Sequence, residues 1–256
     1  MDPNPLRAAL EASVGRAISG EPRVAVAYSG GLDSSILAHL AARISEVKCY
    51  TCATEGSYDA KNVGQFAKLE GLQLSLILLS EEAVKAAAVR ASKLLNSRDP
   101  VRVAYTIPIL CVLSSCTERL VLTGGGADEL FGGYAKYVSV KDPTAMMLSD
   151  IDKFTSEARL LASEAASMGK RIAFPFMSEE MRSLASEIPL GDKIQGKSRK
   201  VVLREVARLL DLPSHDRPKK AAQYSSGVMR EMERLAKREG KGVSSWTAAL
   251  ASMQSN

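Results

Sequence analysis

The sequence predicts an α/β fold: a parallel sheet flanked by helices, with a helical C-terminal extension. Three observations predict it. Short apolar runs of strand composition alternate with helical segments through the first half of the chain. Two of those runs end in glycine-rich turns, at Ser29-Gly30-Gly31 and at Gly124-Gly125-Gly126. Beyond Lys136 the pattern turns helical with no linker to mark a second domain. The division expected is a nucleotide-binding core over residues 1–136 and a helical extension over 137–256.

Each element has its own warrant. Leu6, Leu10, Val14 and Ile18 form one stripe at a four-residue step, which predicts a helix over Pro5–Ser19. Arg23–Tyr28 is a valine-containing apolar run and reads as a buried strand. A helix follows through Arg43. Val47–Ala53 is rich in strand formers. A helix runs from near Asp59 to about Glu70. Leu72–Leu79 is nearly continuous in apolar residues, as a strand covered on both faces would be. Ser80-Glu81-Glu82 opens a helix to about Leu95. Val101–Cys116 follows Asp99-Pro100 and reads as a helix bent or delayed at Pro108. Arg119–Thr123 is the fourth strand. Asp142-Pro143 reads as a break. Helices are then expected over Ile151–Met168, Glu179–Glu187, Ser198–Leu210 and Val228–Arg238, with Arg171–Phe176 as a connection.

Bulk properties narrow the function. At 256 residues, 46% hydrophobic and 25% charged, the chain is long enough for one large domain of ordinary globular composition. No apolar run approaches the length of a membrane span, and Met1–Gly20 has no signal-peptide pattern, so a cytoplasmic protein is expected. Cys49 and Cys52 sit three apart on a strand and face opposite sides; Cys111 and Cys116 diverge on a helix. They read as buried structural thiols. The net charge is +5, but residues 191–256 hold 14 Lys and Arg against 7 Asp and Glu. That basic third suits phosphates of a nucleotide or of an RNA.

Chemistry concentrates in three stretches. Ser29-Gly30-Gly31-Leu32-Asp33-Ser34-Ser35 joins a strand to a helix start. Glycines let the backbone approach a ligand, and the free N–H groups of a helix start favour anions. The spacing differs from the common phosphate loop, which ends in Gly-Lys-Ser or Thr. A carboxylate beside phosphate needs a cation between them, so Asp33 suggests Mg²⁺. Gly124 to Tyr134 gives a second glycine turn, with Asp128 and Glu129 behind it. Strands one and four should end at one rim, where Asp33 and Asp128 share a metal ion. Arg217-Pro218-Lys219-Lys220 offers a cation for a phosphorus centre that becomes more negative, with Lys219 first and Lys220 second.

Ser-Gly-Gly-Leu-Asp-Ser resembles the pyrophosphate loop (PP-loop) of ATP pyrophosphatases. The wider set resembles the synthetase domain of asparagine synthetase. It comprises Glu55-Gly56-Ser57-x-Asp59, Gly124-x-Gly126-x-Asp128-Glu129-Leu130-Phe131-Gly132-Gly133-Tyr134, Phe174-Pro175-Phe176, Leu203-Arg204 and Arg217-x-Lys219. The resemblance covers nearly the whole chain. It implies an adenine nucleotide alpha-hydrolase-like sheet and an AMP-forming amidoligase that activates aspartate, or a similar acid, with Mg·ATP for attack by ammonia. It implies that Ser29, Gly30, Gly31, Asp33 and Ser34 hold pyrophosphate and that Asp33 and Asp128 hold Mg²⁺. Tyr28, Ala53, Gly124 and Gly125 would flank the nucleotide, and Lys219, seconded by Lys220, would stabilise the transition states.

Two features differ from the family pattern. Met1-Asp2 leads directly into the synthetase region, whereas family members usually carry an N-terminal glutaminase domain. The expectation is a chain without that domain, served by free ammonia, a separate glutaminase subunit or another amine. Gly125 stands where the family usually has a glutamate that handles the substrate or the attacking amine. Two other functions fit the same residues: a PP-loop enzyme that adenylates a tRNA base, and a non-catalytic nucleotide-binding paralogue.

Overall fold

The computed structural model describes residues 2–218 and 220–252. The chain opens α1 (Asn4–Ile18), β1 (Arg23–Ala27), α2 (Leu32–Ala42), β2 (Glu46–Thr54), α3 (Tyr58–Leu69) and β3 (Gln73–Leu79). It continues α4 (Glu81–Leu95), α5 (Pro100–Ser115), β4 (Leu120–Leu122), α6 (Ala127–Phe131), α7 (Lys136–Ser139), α8 (Pro143–Ser167) and β5 (Arg171–Ala173). The remainder is α9 (Glu179–Glu187), α10 (Leu190–Lys193), the hairpin β6 (Ile194–Gln195) and β7 (Ser198–Arg199), α11 (Val201–Leu209), α12 (Ala222–Ser225), α13 (Val228–Arg238) and α14 (Val243–Ser252).

Five strands form one parallel sheet in the order β3-β2-β1-β4-β5. The expected architecture holds. Side chains alternate across it: Val24 and Val26 enter one core and Ala25 the other. One core packs α1, α2, α9 and α11 on the sheet, including the stripe Leu6, Leu10, Val14 and Ile18. The opposite core holds α4, α5, α13 and α14. Cys49 and Cys52 fall in opposite cores, and the four cysteines are free thiols.

Helix ends follow local chemistry. Ser57 and Ser80 accept from the backbone N–H groups of Ala60 and Ala83 at 3.2 Å, capping α3 and α4. Asp99 caps α5, which runs on through Pro108. Asp142-Pro143 breaks the helical run after α7 and starts α8, earlier than the expected Ile151: the Asp142 carboxylate accepts from Ala145 N–H at 3.0 Å, and Pro143 takes the first-turn position where no N–H is needed.

Three expectations are corrected. Leu72–Leu79 is not covered on both faces; β3 is an edge strand with Leu76 and Leu78 exposed. Arg171–Ala173 is not a connection but the fifth strand, so the sheet draws on residues beyond 136. Three residues are too short to announce a strand by alternation, and only pairing with β4 fixes them. The helix expected from Ser198 starts at Val201, because Ser198 and Arg199 pair in a hairpin and Lys200 is left-handed, with φ of 56°. The unforeseen α14 seals the second core with Trp246, which is fully buried. Trp246→Ala should cost about 3–5 kcal/mol of stability, read by urea denaturation.

Candidate active site

The two glycine turns meet at the carboxyl rim of the sheet. β1 and β4 are neighbours, with Val26 opposite Leu122. Gly30 needs to be glycine twice over: its φ is +68°, and a Cβ there would stand 2.5 Å from Phe66 Cδ2. The turn is closed by Ser34, whose hydroxyl accepts from Ser29 N–H at 3.2 Å and donates to the Gly31 carbonyl at 3.1 Å. The start of α2 leaves the N–H groups of Leu32, Asp33 and Ser34 without acceptors inside the helix. A Cβ on Gly124 would lie 2.9 Å from Asp33 Cβ, so the second turn packs directly on the first.

Asp33 and Asp128 converge on one cation. Lys200 Nζ lies 2.5 Å from Asp33 Oδ2 and 2.7 Å from Asp128 Oδ1, and its side chain is only 3% exposed. Burial lowers the Lys200 pKa, and the Asp33 carboxylate opposes that shift. Gly133 makes the arrangement possible: a Cβ there would collide with Asp128 Oδ1 at 1.7 Å and Lys200 Cε at 2.3 Å. Arg199 Nη1 donates to the Gly133 carbonyl at 2.8 Å, which draws the hairpin onto the same turn. Asp33 Oδ1 is buried without a partner. An unpaired carboxylate oxygen beside a second carboxylate is a hard-oxygen donor set, and it fits a divalent ion such as Mg²⁺.

Behind the first turn lies a second network. Glu70, closing α3, accepts from Tyr28 Oη at 2.9 Å and Ser35 Oγ at 3.0 Å, and pairs with Arg217 Nη1 at 2.8 Å. The Arg217 guanidinium lies 4.1 Å from the Phe66 ring centroid and donates to the Gly30 carbonyl at 2.6 Å. The tail segment thereby touches the glycine turn. Arg204 holds that segment, donating to the carbonyls of Arg199, His215 and Arg217.

The other residues singled out from sequence fall as follows. Ser29 lines the first turn, and Ala53 is buried near the carboxyl end of β2. The phenol of Tyr28 turns to Glu70, and only its backbone faces the neighbouring strand, with Tyr28 N–H donating to Tyr50 carbonyl at 2.9 Å. Gly125 donates its N–H to Thr123 Oγ1 at 3.4 Å. Lys220 Nζ sits 3.6 Å from the Tyr58 ring centroid. Lys219 lies outside the described residues. Glu129 is buried, accepts from Tyr134 Oη at 2.6 Å, and has its pKa raised by burial. The sequence pattern alone assigns no role to Lys200, Glu70 or Gly133. A lysine inside Lys197-Ser198-Arg199-Lys200 looks like part of a solvated basic run; its one signal was its place just before Leu203-Arg204.

The asparagine synthase family profile matches residues 5–142 and 139–254. The chain belongs to the asparagine synthase family. It is 30% identical, over 91% of its length, to a Methanocaldococcus jannaschii protein assigned as a glutamine-hydrolyzing asparagine synthetase. It is 24% identical over 89% of its length to the glutamine-hydrolyzing asparagine synthetase B of Escherichia coli, and 25% identical over 90% to the carboxyethyl-arginine beta-lactam-synthase of Streptomyces clavuligerus. It spans about half the length of these relatives: 51%, 45% and 46%. Among solved structures it is similar to NMN synthetase from Francisella tularensis, at 14% identity and a TM-score of 0.46, over 98% of this chain and 92% of that one. No described helix is long and apolar enough to cross a membrane.

Two predictions follow from the electrostatics. Lys200→Met leaves two carboxylates facing each other unneutralised and should cost about 3–5 kcal/mol. Millimolar Mg²⁺ should raise the melting temperature of that variant more than that of the wild type. An equal shift in both would separate the aspartates from metal binding. Asp59 accepts from Ser225 Oγ at 3.0 Å, and burial pushes its carboxyl up from 3.8 to about 6, the Ser225 hydroxyl and Lys220 opposing. Such a group binds its proton more tightly in the folded state. Its contribution is best below pH 4 and is lost as pH rises through about 6. Asp59→Asn should therefore be more stable than wild type at pH 7.5 by about 1–2 kcal/mol, with the advantage gone near pH 4, by urea denaturation at both pH values.

Proposed function

We propose that this chain uses Mg·ATP to adenylate a carboxylic acid, releasing pyrophosphate, and passes the acyl group to an amine. The observation that carries the reading is the convergence of Asp33 and Asp128 on Lys200 where both glycine turns end. Family membership supports ATP-dependent ligase chemistry. The acid is left open by membership, since one relative is named for carboxyethyl-arginine rather than asparagine.

The roles are these. Ser29, Gly30, Gly31 and Ser34, with the N–H groups opening α2, bind the pyrophosphate part of the nucleotide. Backbone near Tyr28, Ala53, Gly124 and Gly125 flanks the nucleotide. Asp33 and Asp128 would hold Mg²⁺, which when bound offsets phosphate charge. Lys200 supplies fixed positive charge at the same point. Lys219, seconded by Lys220, meets the negative charge that grows on the α-phosphate. A carboxylate oxygen of the acid attacks the α-phosphorus; the new O–P bond forms as the bond to pyrophosphate breaks. The amine nitrogen then attacks the acyl carbon. A C–N bond forms, the C–O bond to AMP breaks, and the amine loses one proton. Aspartate and ammonia are the first pair to test, with ammonia drawn from solution or from a separate glutaminase subunit in the cytoplasm.

A second reading, adenylation of a tRNA base, is favoured by one observation: Lys and Arg outnumber Asp and Glu by 14 to 7 over residues 191–256. Tight, steeply salt-dependent tRNA binding would promote it.

The test is acid-dependent exchange of labelled pyrophosphate into ATP, with AMP followed by chromatography. Asp33→Asn and Asp128→Asn should each lower kcat at least about a hundredfold. Full exchange in both variants would overturn the two-aspartate reading.

A further inference from the structure

Gly125 lies between Gly124, which packs on Asp33, and Gly126, whose φ is +90°. A Cβ on Gly125 would stand 2.4 Å from Phe154 Cζ and 3.1 Å from both Phe154 Cε2 and Phe174 Cδ1. On Gly126 it would meet Met177 Cγ and Sδ at 2.4 Å. The Phe154 ring, from α8, and the Phe174 ring, just after β5, meet edge to face with centroids 5.5 Å apart. So the place of a side chain at position 125 is taken by aromatic carbon. It is neither void nor polar. Gly124, Gly125, Phe154, Phe174 and Met177 each keep part of their surface open.

An acid that carries an ammonium next to its carboxyl needs an anionic partner there. The buried carboxylates on α6 and α8 are already engaged. Glu129 accepts from Tyr134 Oη at 2.6 Å. Glu157, one turn along α8 from Phe154, pairs with Arg102 Nη2 at 2.6 Å and accepts from Tyr105 Oη. Both are buried. A ring attracts a cation far more weakly than a carboxylate does. An apolar body, by contrast, gains from leaving water against these rings.

We propose that the acid activated here carries an apolar, aromatic or branched aliphatic body that lies against Phe154 and Phe174, in place of a charged amino-acid head group. This rests on the adenylation reading above and narrows its substrate class. The Ser29 turn takes the phosphates, and the adjoining turn after β4 is the wall left for the acid. Phe154 and Phe174 are then specificity-determining residues.

The experiment is acid-dependent exchange of pyrophosphate into ATP by the full chain with Mg²⁺. Aspartate and glutamate are compared with phenylacetate, 3-phenylpropionate, benzoate and isovalerate. At least one apolar acid should exceed aspartate in kcat/KM by about tenfold or more. Phe154→Ala should raise the KM of that acid about tenfold and leave the KM of ATP unchanged. Phe154→Leu, which keeps apolar volume, should narrow the gap between aromatic and aliphatic acids and serves if the alanine variant does not fold. Preference for aspartate overturns this inference and leaves adenylation standing. ATP binding by calorimetry without exchange for any acid, or exchange that requires added tRNA, overturns the carboxylate reading and this inference with it.

Discussion

The site depends on an ammonium ion buried between two carboxylates. Asp33 comes from the start of α2, Asp128 from α6 and Lys200 from the residue after a two-stranded hairpin, some seventy residues further on. Taking three charges out of water is costly, and only close mutual contact offsets the cost. Much of the surrounding structure serves that contact. Gly124 lets the turns approach, Gly133 leaves room for the lysine stem, and Arg199 ties the hairpin to the Gly133 carbonyl. The left-handed backbone at Lys200, unusual for a residue with a Cβ, is held by helix α11 on one side and the hairpin on the other.

The sheet explains why these charges can meet. Parallel strands point their carboxyl ends to one rim, and neighbouring strands β1 and β4 deliver their turns side by side. Helices pack on both faces of the sheet, and the two glycine turns come together at its carboxyl rim. The Glu70 network then stiffens the first turn from behind. Tyr28 directly follows its strand, Ser35 lies in its helix, and Arg217 arrives from the tail half to hold the Gly30 carbonyl. The first glycine turn and the tail segment are thus joined directly, although most of the sequence separates them.

Local signals are legible in the chain itself. Strands β1 to β4, the stripe of α1, the Ser80 cap and both glycine turns have patterns within about ten residues. The adjacency of Asp33 and Asp128 was legible because strand direction fixes which ends share a rim. What lay beyond reach depended on distant partners. β5 is three residues whose only warrant is pairing with β4. The exposure of Leu76 and Leu78 follows from β3 lying at the sheet edge, which apolar content alone does not reveal. Lys200 reads as one more surface cation until the hairpin turns it inward, and Glu70 as one more exposed acid at a helix end. Gly125 was legible as a departure, but that aromatic rings occupy its place required knowing where α8 and the residue after β5 lie.

Arg204 carries a further implication. One guanidinium grips the carbonyls of Arg199, His215 and Arg217. The hairpin bearing the buried ammonium and the turn bearing the tail's arginine are therefore riveted to a common plate. The Asp33–Asp128 pair, through Lys200, and the first glycine turn, through Arg217, are thus moored to the same side chain.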